Sequence, residues 1–296
     1  MTEARRSRRI RRSRDMLAVP VVLLAVVVIW YAAAVYLNWD SAAQFADEGA
    51  SRLDILQATM SLDRPLLPPP HQLLATLGDE IFGWPVTSPR SILYHTAVTA
   101  SAAACGFVLA IVVGIALAIG IVQTRTLDRS LMPWIIASQT VPVLAIAPMV
   151  IVVLGSIGLT GLLPKALIAG YLSFFPVTTA MVKGLRAPDP MQRDLMRTYN
   201  ATEAQTFRML RWPSAMGFLF PALKVAAALA LVGAIVAELP TGAQAGLGAR
   251  LLTGSYYGQT LQIWAALVMA SLLALLSIAA VDLAQGVLVR QRGGRL

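Results

Sequence analysis

The sequence predicts an all-α, polytopic membrane protein with six transmembrane helices. Three observations carry that prediction. Of 296 residues, 57% are hydrophobic and only 13% charged, with a mean hydropathy of +0.68, whereas water-soluble domains lie nearer half apolar and a quarter charged. Several stretches of about 20 residues carry at most one charge, the length that spans a bilayer as a helix. The 24 basic residues, 21 of them arginine, outnumber the 15 acidic ones, and they gather in alternate connections.

The chain opens with an Arg-rich segment, 1–15, holding Arg5, Arg6, Arg8, Arg9, Arg11, Arg12 and Arg14. It reads as a juxtamembrane anchor rather than a nucleic-acid grip. Residues 16–37 form the first span, which ends in Trp30, Tyr31 and Tyr36, rings suited to the headgroup level. Its 22 uncharged residues are too many for the core of a signal peptide, so it is expected to be retained. Segment 38–94 follows as a large, acidic and proline-rich connection. There Pro68, Pro69 and Pro70 lead into Leu73, Leu74, Leu77 and Ile81, spaced as one face of a short helix lying against the membrane. The stretch 40–63 has no evident role.

Five spans are expected within 95–289, at 97–122, 131–154, 162–182, 218–237 and 262–289, before a short basic tail, 290–296. Gly106, Gly114 and Gly120 in the second read as notches for helix packing. Alternating the connections places 18 basic residues on one side, including Arg125, Arg129, Lys183 to Arg211 and Arg290 to Arg295. The positive-inside rule then puts both termini in the cytoplasm and the 183–217 connection with them. Lys165 and Lys224 fall near span ends, and Asp282, near the inner end of the sixth span, is expected to meet the cytoplasmic arginines.

Several chemistries are excluded. The single cysteine, Cys105, forbids an internal disulfide, and His71 and His95 lie in no metal-binding frame. No phosphate-cradling G-x-x-x-x-G-K-[ST] loop exists, so the chain is not expected to hydrolyse ATP itself, and Ser156 has no histidine at matching depth. No catalytic residue and no cofactor are assigned.

Transport needs only polar groups and broken helices within the bilayer. The third span supplies Ser138, Gln139 and Thr140 beside Pro142 and Pro148; the fourth supplies Ser173, Pro176 and Thr178; and Glu238 follows the fifth as a costly carboxylate. Ser138, Gln139, Thr140, Pro142, Ser173, Thr178 and Glu238 are therefore the candidate pathway residues. An ion-coupled secondary transporter would need Glu238 or Asp282 as its coupling site; a membrane scaffold would use the 38–94 segment.

Within 183–217, Asn200 with Glu203, or Thr202 with Gln205, has the spacing of a capping box. Ala201, Ala204, Phe207 and Leu210 then share one helical face, with Glu203, Arg208 and Arg211 polar, and Pro213 is expected to stop the helix. Such an amphipathic helix suits a groove on a partner.

This segment resembles the cytoplasmic loop of binding-protein-dependent ABC transporter permeases. Ala201, Phe207 and Pro213 match, while Asn200 stands for the usual glycine and Trp212 for the usual leucine. Leu67 to Pro70, Val141-Pro142 with Ala147-Pro148, Phe174-Phe175-Pro176 with Lys183 to Arg186, and Ala237-Glu238 before Gly246-Leu247-Gly248 resemble the nitrate, sulfonate and taurine branch, over about 65–285. Leu239 to Gln244 is similar to members for pyrimidine or thiamine-precursor uptake. The resemblance implies a type I importer permease in the bacterial inner membrane, paired with a second permease subunit as homodimer or heterodimer. It further implies a cytoplasmic ATPase dimer, which would hold ATP and Mg, and a periplasmic or lipid-anchored substrate-binding protein. Asn200, Ala201, Thr202, Glu203, Ala204, Phe207, Arg208, Leu210 and Pro213 are then the residues expected to couple to the ATPase. The implied cargo is a small polar solute, of pyrimidine or thiamine-precursor type, or else a sulfonate- or nitrate-like anion.

Overall fold

The computed structural model describes residues 3–45, 50–240 and 244–291, with side chains described for 19–45, 50–240 and 244–290. All regular structure among them is helical. Two compact units divide the chain: residues 1–84 with 253–265, and residues 85–252 with 266–296. Several arginines of both termini, Asp47, Glu48 and part of the 239–244 run lie outside the described side chains.

In the first unit, helix α1 runs Glu3–Phe45, longer than the expected span, with its apolar part at Val19–Phe45. Trp30 and Tyr31 do more than wait at a headgroup level. The Trp30 indole N–H donates to the Pro68 carbonyl at 3.1 Å, and the Tyr31 ring stacks on His71. Buried Asn38 donates through Nδ2 to the Leu67 carbonyl (2.9 Å) and accepts from the Leu66 N–H through Oδ1 (2.8 Å). Prolines remove backbone donors from this run, so side chains of α1 take up the carbonyls and N–H groups that remain. The stretch without an evident role contains a helix, α2 (Arg52–Thr59), fixed by a capping box between Ser51 and Asp54. The Ser51 N–H holds the exposed Asp54 carboxyl below its ordinary titration range. Helix α3 (Pro70–Phe82) forms where its leucines predicted, with Leu73 and Leu77 buried, but Leu74 faces outward.

In the second unit, α4 (Ile92–Gln123), α7 (Leu162–Arg186) and α10 (Trp212–Glu238) form the core, with α7 packed against both others. Lipid tails are as apolar as leucine, so close backbone approach rather than solvent exclusion drives such packing. Small residues provide it. A Cβ on Gly106 would fall 2.4 Å from Ala169 Cβ, one on Gly114 2.9 Å from Val177, and one on Gly233 2.7 Å from Ala169. Gly120, expected as a third notch on α4, meets only a leucine tip at 3.4 Å. Below these contacts, Val177, Met181 and Leu185 interlock with Leu219, Phe220 and Ala226.

The expected third span is not straight. Helices α5 (Arg125–Ala137) and α6 (Val143–Ser156) are bent by 101° across Ser138 to Pro142. Val141 precedes a proline, which disfavours helical backbone, and it is extended. Pro148 stays inside α6 and breaks nothing. Among the described residues, five helices are long and apolar enough to cross a membrane, and six spans result if the bent pair counts as one.

The 183–217 connection differs most from expectation. Its separate amphipathic helix is α8 (Pro190–Thr198), followed by a short α9 (Glu203–Thr206), and Pro213 stops nothing. Phe207–Arg211 is a π-helical turn that carries α9 directly into α10, so Glu203–Glu238 is one continuous helix. In the wider turn the Trp212 N–H bonds to the Phe207 carbonyl, five residues back, and the Ser214 hydroxyl takes the Leu210 carbonyl. Pro213 follows the π turn directly, inside this continuous helix, and its missing N–H does not break it. Two further helices complete the chain: α11 (Leu247–Tyr257), which the sequence reading did not include, and α12 (Thr260–Gln291).

Candidate functional site: a buried clasp and an exposed helix

The seven pathway candidates are not brought together. Ser138, Gln139, Thr140 and Pro142 lie at the bend between α5 and α6, with Gln139, Thr140 and Pro142 exposed and the Ser138 carbonyl accepting from the Tyr171 hydroxyl at 2.6 Å. Ser173 and Thr178 are buried on α7, their hydroxyls returned to the carbonyls of Ala169 and Phe174 one turn back. Glu238 is elsewhere again, at the end of α10.

Glu238 is fully buried, and its surroundings explain how a carboxylate tolerates that place. The Thr99 hydroxyl of α4 donates to it at 2.8 Å, the Gly248 N–H at 3.0 Å, and the Lys165 ammonium of α7 stands 3.4 Å away. Each partner is itself engaged. Thr99 accepts from the Leu247 N–H (2.8 Å), and Lys165 donates to the Ala245 carbonyl (2.7 Å). His95 completes the set: its Nδ1 accepts from the Gly246 N–H (3.0 Å), which leaves Nε2 to donate to the Pro89 carbonyl (2.9 Å). That pairing assigns the neutral imidazole with its proton on Nε2.

The arrangement clasps the backbone at Ala245 to Gly248 against α4, α7 and α10. Gly246 is required there. Its φ of +127° disfavours any side chain, and a Cβ would lie 2.1 Å from the Glu238 carboxyl carbon. Chemically the cluster is a polar network in which each side chain has a partner within the site. Sequence alone pointed to Glu238 but not to Thr99 and Lys165 as its partners, nor to His95 as the acceptor of the Gly246 N–H. Their signal was the presence of three more polar side chains beside the long apolar runs, where each needs a partner.

The residues expected to couple to an ATPase divide between two structures. Asn200 ends α8 with φ +51°, the left-handed conformation that glycine most often supplies at a helix C-terminus. The Asn200 N–H bonds to the Arg197 carbonyl and the Ala201 N–H to the Met196 carbonyl, which closes a Schellman turn. Thr202 and Gln205 form the capping box of α9; the alternative with Asn200 and Glu203 does not occur. Thr202, Glu203, Ala204 and Arg208 are exposed, and Ala201, Leu210 and Pro213 are half-buried. Phe207 is also half-buried, packed on the core with its ring 6.1 Å from that of Trp212.

Exposed apolar side chains lie instead along α8 and its C-terminal cap, with Met209 of the π turn also 68% exposed. Met191, Leu195 and Tyr199 are 80%, 55% and 77% exposed and follow one another at helical spacing of four. A capping box of Asp189 with Gln192 fixes the start of this helix. Behind it, Arg193, Asp194, Arg197, Glu203 and Arg211 border a polar recess of about 230 Å³.

Comparison with known proteins matches residues 110–293 to the family described as binding-protein-dependent transport system inner membrane component. The chain is 30% identical over 229 residues to the formylaminopyrimidine transport permease protein ThiX of Halalkalibacterium halodurans, covering 77% of this chain and 86% of that protein. It is 30% identical over 210 residues to the riboflavin transport system permease protein RibX of Chloroflexus aurantiacus, covering 70% and 75%. Against the putative aliphatic sulfonates transport permease protein SsuC of Bacillus subtilis it is 26% identical over 234 residues, covering 77% and 78%. A multi-pass helical chain with these relatives, and with the matched region running from within α4 to the end of α12, belongs to the family of ABC transporter permeases, subunits that are not themselves catalytic.

Proposed function

We propose that this permease passes a small polar solute across a bacterial inner membrane, driven by a cytoplasmic ATPase dimer that grips α8 and supplied by an external binding protein. The single observation that carries this reading is the state of α8. It is capped at both ends, so its geometry is fixed, yet it leaves an apolar stripe of Met191, Leu195 and Tyr199 uncovered among Arg193 and Arg197. A rigid amphipathic helix offered in this way suits a groove on a partner.

The continuous helix from Glu203 to Glu238 gives the grip a consequence. Movement of α8 reaches α9 through the short turn at Asn200, and α9 is one body with the span α10. Closure of the ATPase pair on ATP and Mg would thus turn α10 against α4 and α7, biasing a cavity between two accessible states. In this reading both termini face the cytoplasm, a second permease copy or a related subunit completes the route, and Gln139, Thr140 and Pro142 at the exposed bend line it. Relatives named for formylaminopyrimidine and riboflavin favour a nitrogen heterocycle as cargo over a sulfonate- or nitrate-like anion.

Reconstituted vesicles test the scheme. Uptake is expected only with the ATPase, ATP and the binding protein present, and uptake driven by an ion gradient alone would overturn it. Leu195→Asp should abolish co-purification of the ATPase and uptake while leaving the melting temperature unchanged. Phe207→Ala should weaken recovery less, because that ring is half-covered by the permease itself.

A further inference from the structure

The π-helical turn at Phe207–Arg211 has a cause in the sequence. Pro213 offers an N–H to neither the Met209 carbonyl, four residues back, nor the Arg208 carbonyl, five back, and in a regular helix its ring would strike the former. A wider turn directly before it, closed by the Trp212 N–H on the Phe207 carbonyl, lets the helix continue.

The side chains show what the wider turn changes. The packed face of α10 runs through Leu223, Phe220, Leu219 and Met216. Continued backward at regular helical spacing, it would reach Trp212, then Arg208 and Met209, then Gln205. The structure leaves that line after Trp212. Five residues back, Phe207 is half-buried against the core and Thr206 beside it is buried, while Arg208, Met209 and Gln205 are exposed. The turn holds one residue more than the α-helical repeat, and each residue is worth about 100° of rotation at 3.6 per turn. It thereby keeps a guanidinium out of the core and fixes which side of α9, and of α8 joined to it, faces outward. On the other side of the turn α10 is held against rotation. Glu238 ties its far end to α4 and α7, and Gly233 packs on Ala169 of α7. Lys224 pairs with Asp282 of α12, the carboxylate expected from sequence to meet the cytoplasmic arginines.

We propose that the π turn is a register device: by holding one extra residue ahead of Pro213, it sets the rotation at which α8 and α9 meet the ATPase. The inference rests on the reading of α8 as the gripped helix and deepens it. Pro213 and Phe207 are positioning residues in this scheme, acting through the facing of α8 rather than by touching the solute.

Two variants separate the facing from the turn itself. A chain lacking Met209 and carrying Pro213→Ala has a regular helix through this point, with α8 and α9 facing as in the parent. A chain with Phe207→Arg, Arg208→Phe and Pro213→Ala keeps its length but places the apolar ring where a regular helix packs, which turns α8 and α9 by about 100°. For labelling, the parent and both variants also carry Thr206→Cys in a Cys105→Ala background, and the full-length permease is treated in detergent with a charged methanethiosulfonate. Slow modification is expected in the parent and the deletion chain, where position 206 is packed, and fast modification in the exchange chain. In vesicles with the ATPase, ATP and the binding protein, chains without the added thiol are compared. The deletion chain should retain uptake, and the exchange chain should lose it about tenfold or more at an unchanged melting temperature. Equal labelling in all three chains, or equal uptake in all three, overturns the proposal. So does loss of uptake in the deletion chain at the parental melting temperature, which would mean that the wide turn itself is needed rather than the facing it sets. Absence of ATP-driven uptake in the parent would sink the permease reading, and the labelling, which needs no ATPase, would still decide the register.

Discussion

Two ion pairs in the same unit rank oppositely by distance and by consequence. Arg186 and Asp128 join α7 to α5 at 2.9 Å, whereas Lys165 and Glu238 join α7 to α10 at 3.4 Å. The shorter contact is the weaker one. Its side chains are 46% and 33% exposed, so solvent screens the attraction, and such pairs contribute about 0–1 kcal/mol. Glu238 has no water to fall back on. Its carboxylate depends on Thr99, Gly248 and Lys165 together, and through them it fixes the turn at Ala245 to Gly248. Burial and the count of satisfied partners, more than separation, decide which pair organises the fold.

Glu238→Ala is the sharpest way to break that contrast. It leaves the Lys165 ammonium, the Thr99 hydroxyl and the Gly248 N–H facing an empty buried site. A loss on the order of 3–5 kcal/mol is expected, read as a lowered melting temperature in detergent. Glu238→Gln, which keeps shape and some hydrogen bonds, should lose less. Should the alanine variant melt like the parent, the network would hold nothing in place.

Gly246→Ala probes the same site from the backbone. Its φ of +127° and the carboxyl 2.1 Å from a new Cβ set strain and collision together, so a cost of about 1–3 kcal/mol is expected. Because the collision is with Glu238 itself, the double variant with Glu238→Ala should cost less than the sum of the two, and strict additivity would argue against their contact. Thr99→Val comes next. It removes a hydroxyl that both donates to Glu238 and accepts from the Leu247 N–H, and leaving these buried groups unmatched costs about 1–3 kcal/mol. The same melting experiment checks it, with Thr99→Ser expected to restore most of the loss.

How much of this was legible in the sequence depended on the range of the physics involved. Spans were legible, because hydropathy is local and the bilayer sets their length. The α3 helix was legible for the same reason, from three prolines and a leucine spacing. The bend at Val141 was half-visible: the proline marked a break, but the sequence could not show that Pro148, of the same type, would stay inside α6. Pro213 misled, since a π-helical turn at Phe207–Arg211 absorbs the missing donor, and that depends on how Phe207 and Trp212 pack. Partners of Glu238 were illegible because they are 139 and 73 residues away, on α4 and α7, and only the packed core brings them together. Asn200 reads as a departure from a glycine pattern, yet its backbone is left-handed, a conformation that asparagine as well as glycine adopts.

The smallest expected effect completes the comparison. Asp128→Asn keeps size and removes charge from a pair whose partner, Arg186, can turn to water. It should lower stability by no more than about 1 kcal/mol at low ionic strength. In roughly 1 M salt, where screening acts within about 3 Å, that difference should vanish. Glu238→Ala measured alongside should keep its full penalty in the same salt, because mobile ions do not reach a side chain with no exposed surface. A salt-insensitive loss at Asp128 equal to that at Glu238 would mean that the 2.9 Å contact is sheltered in the assembled transporter, and it would place the start of α5 within an interface.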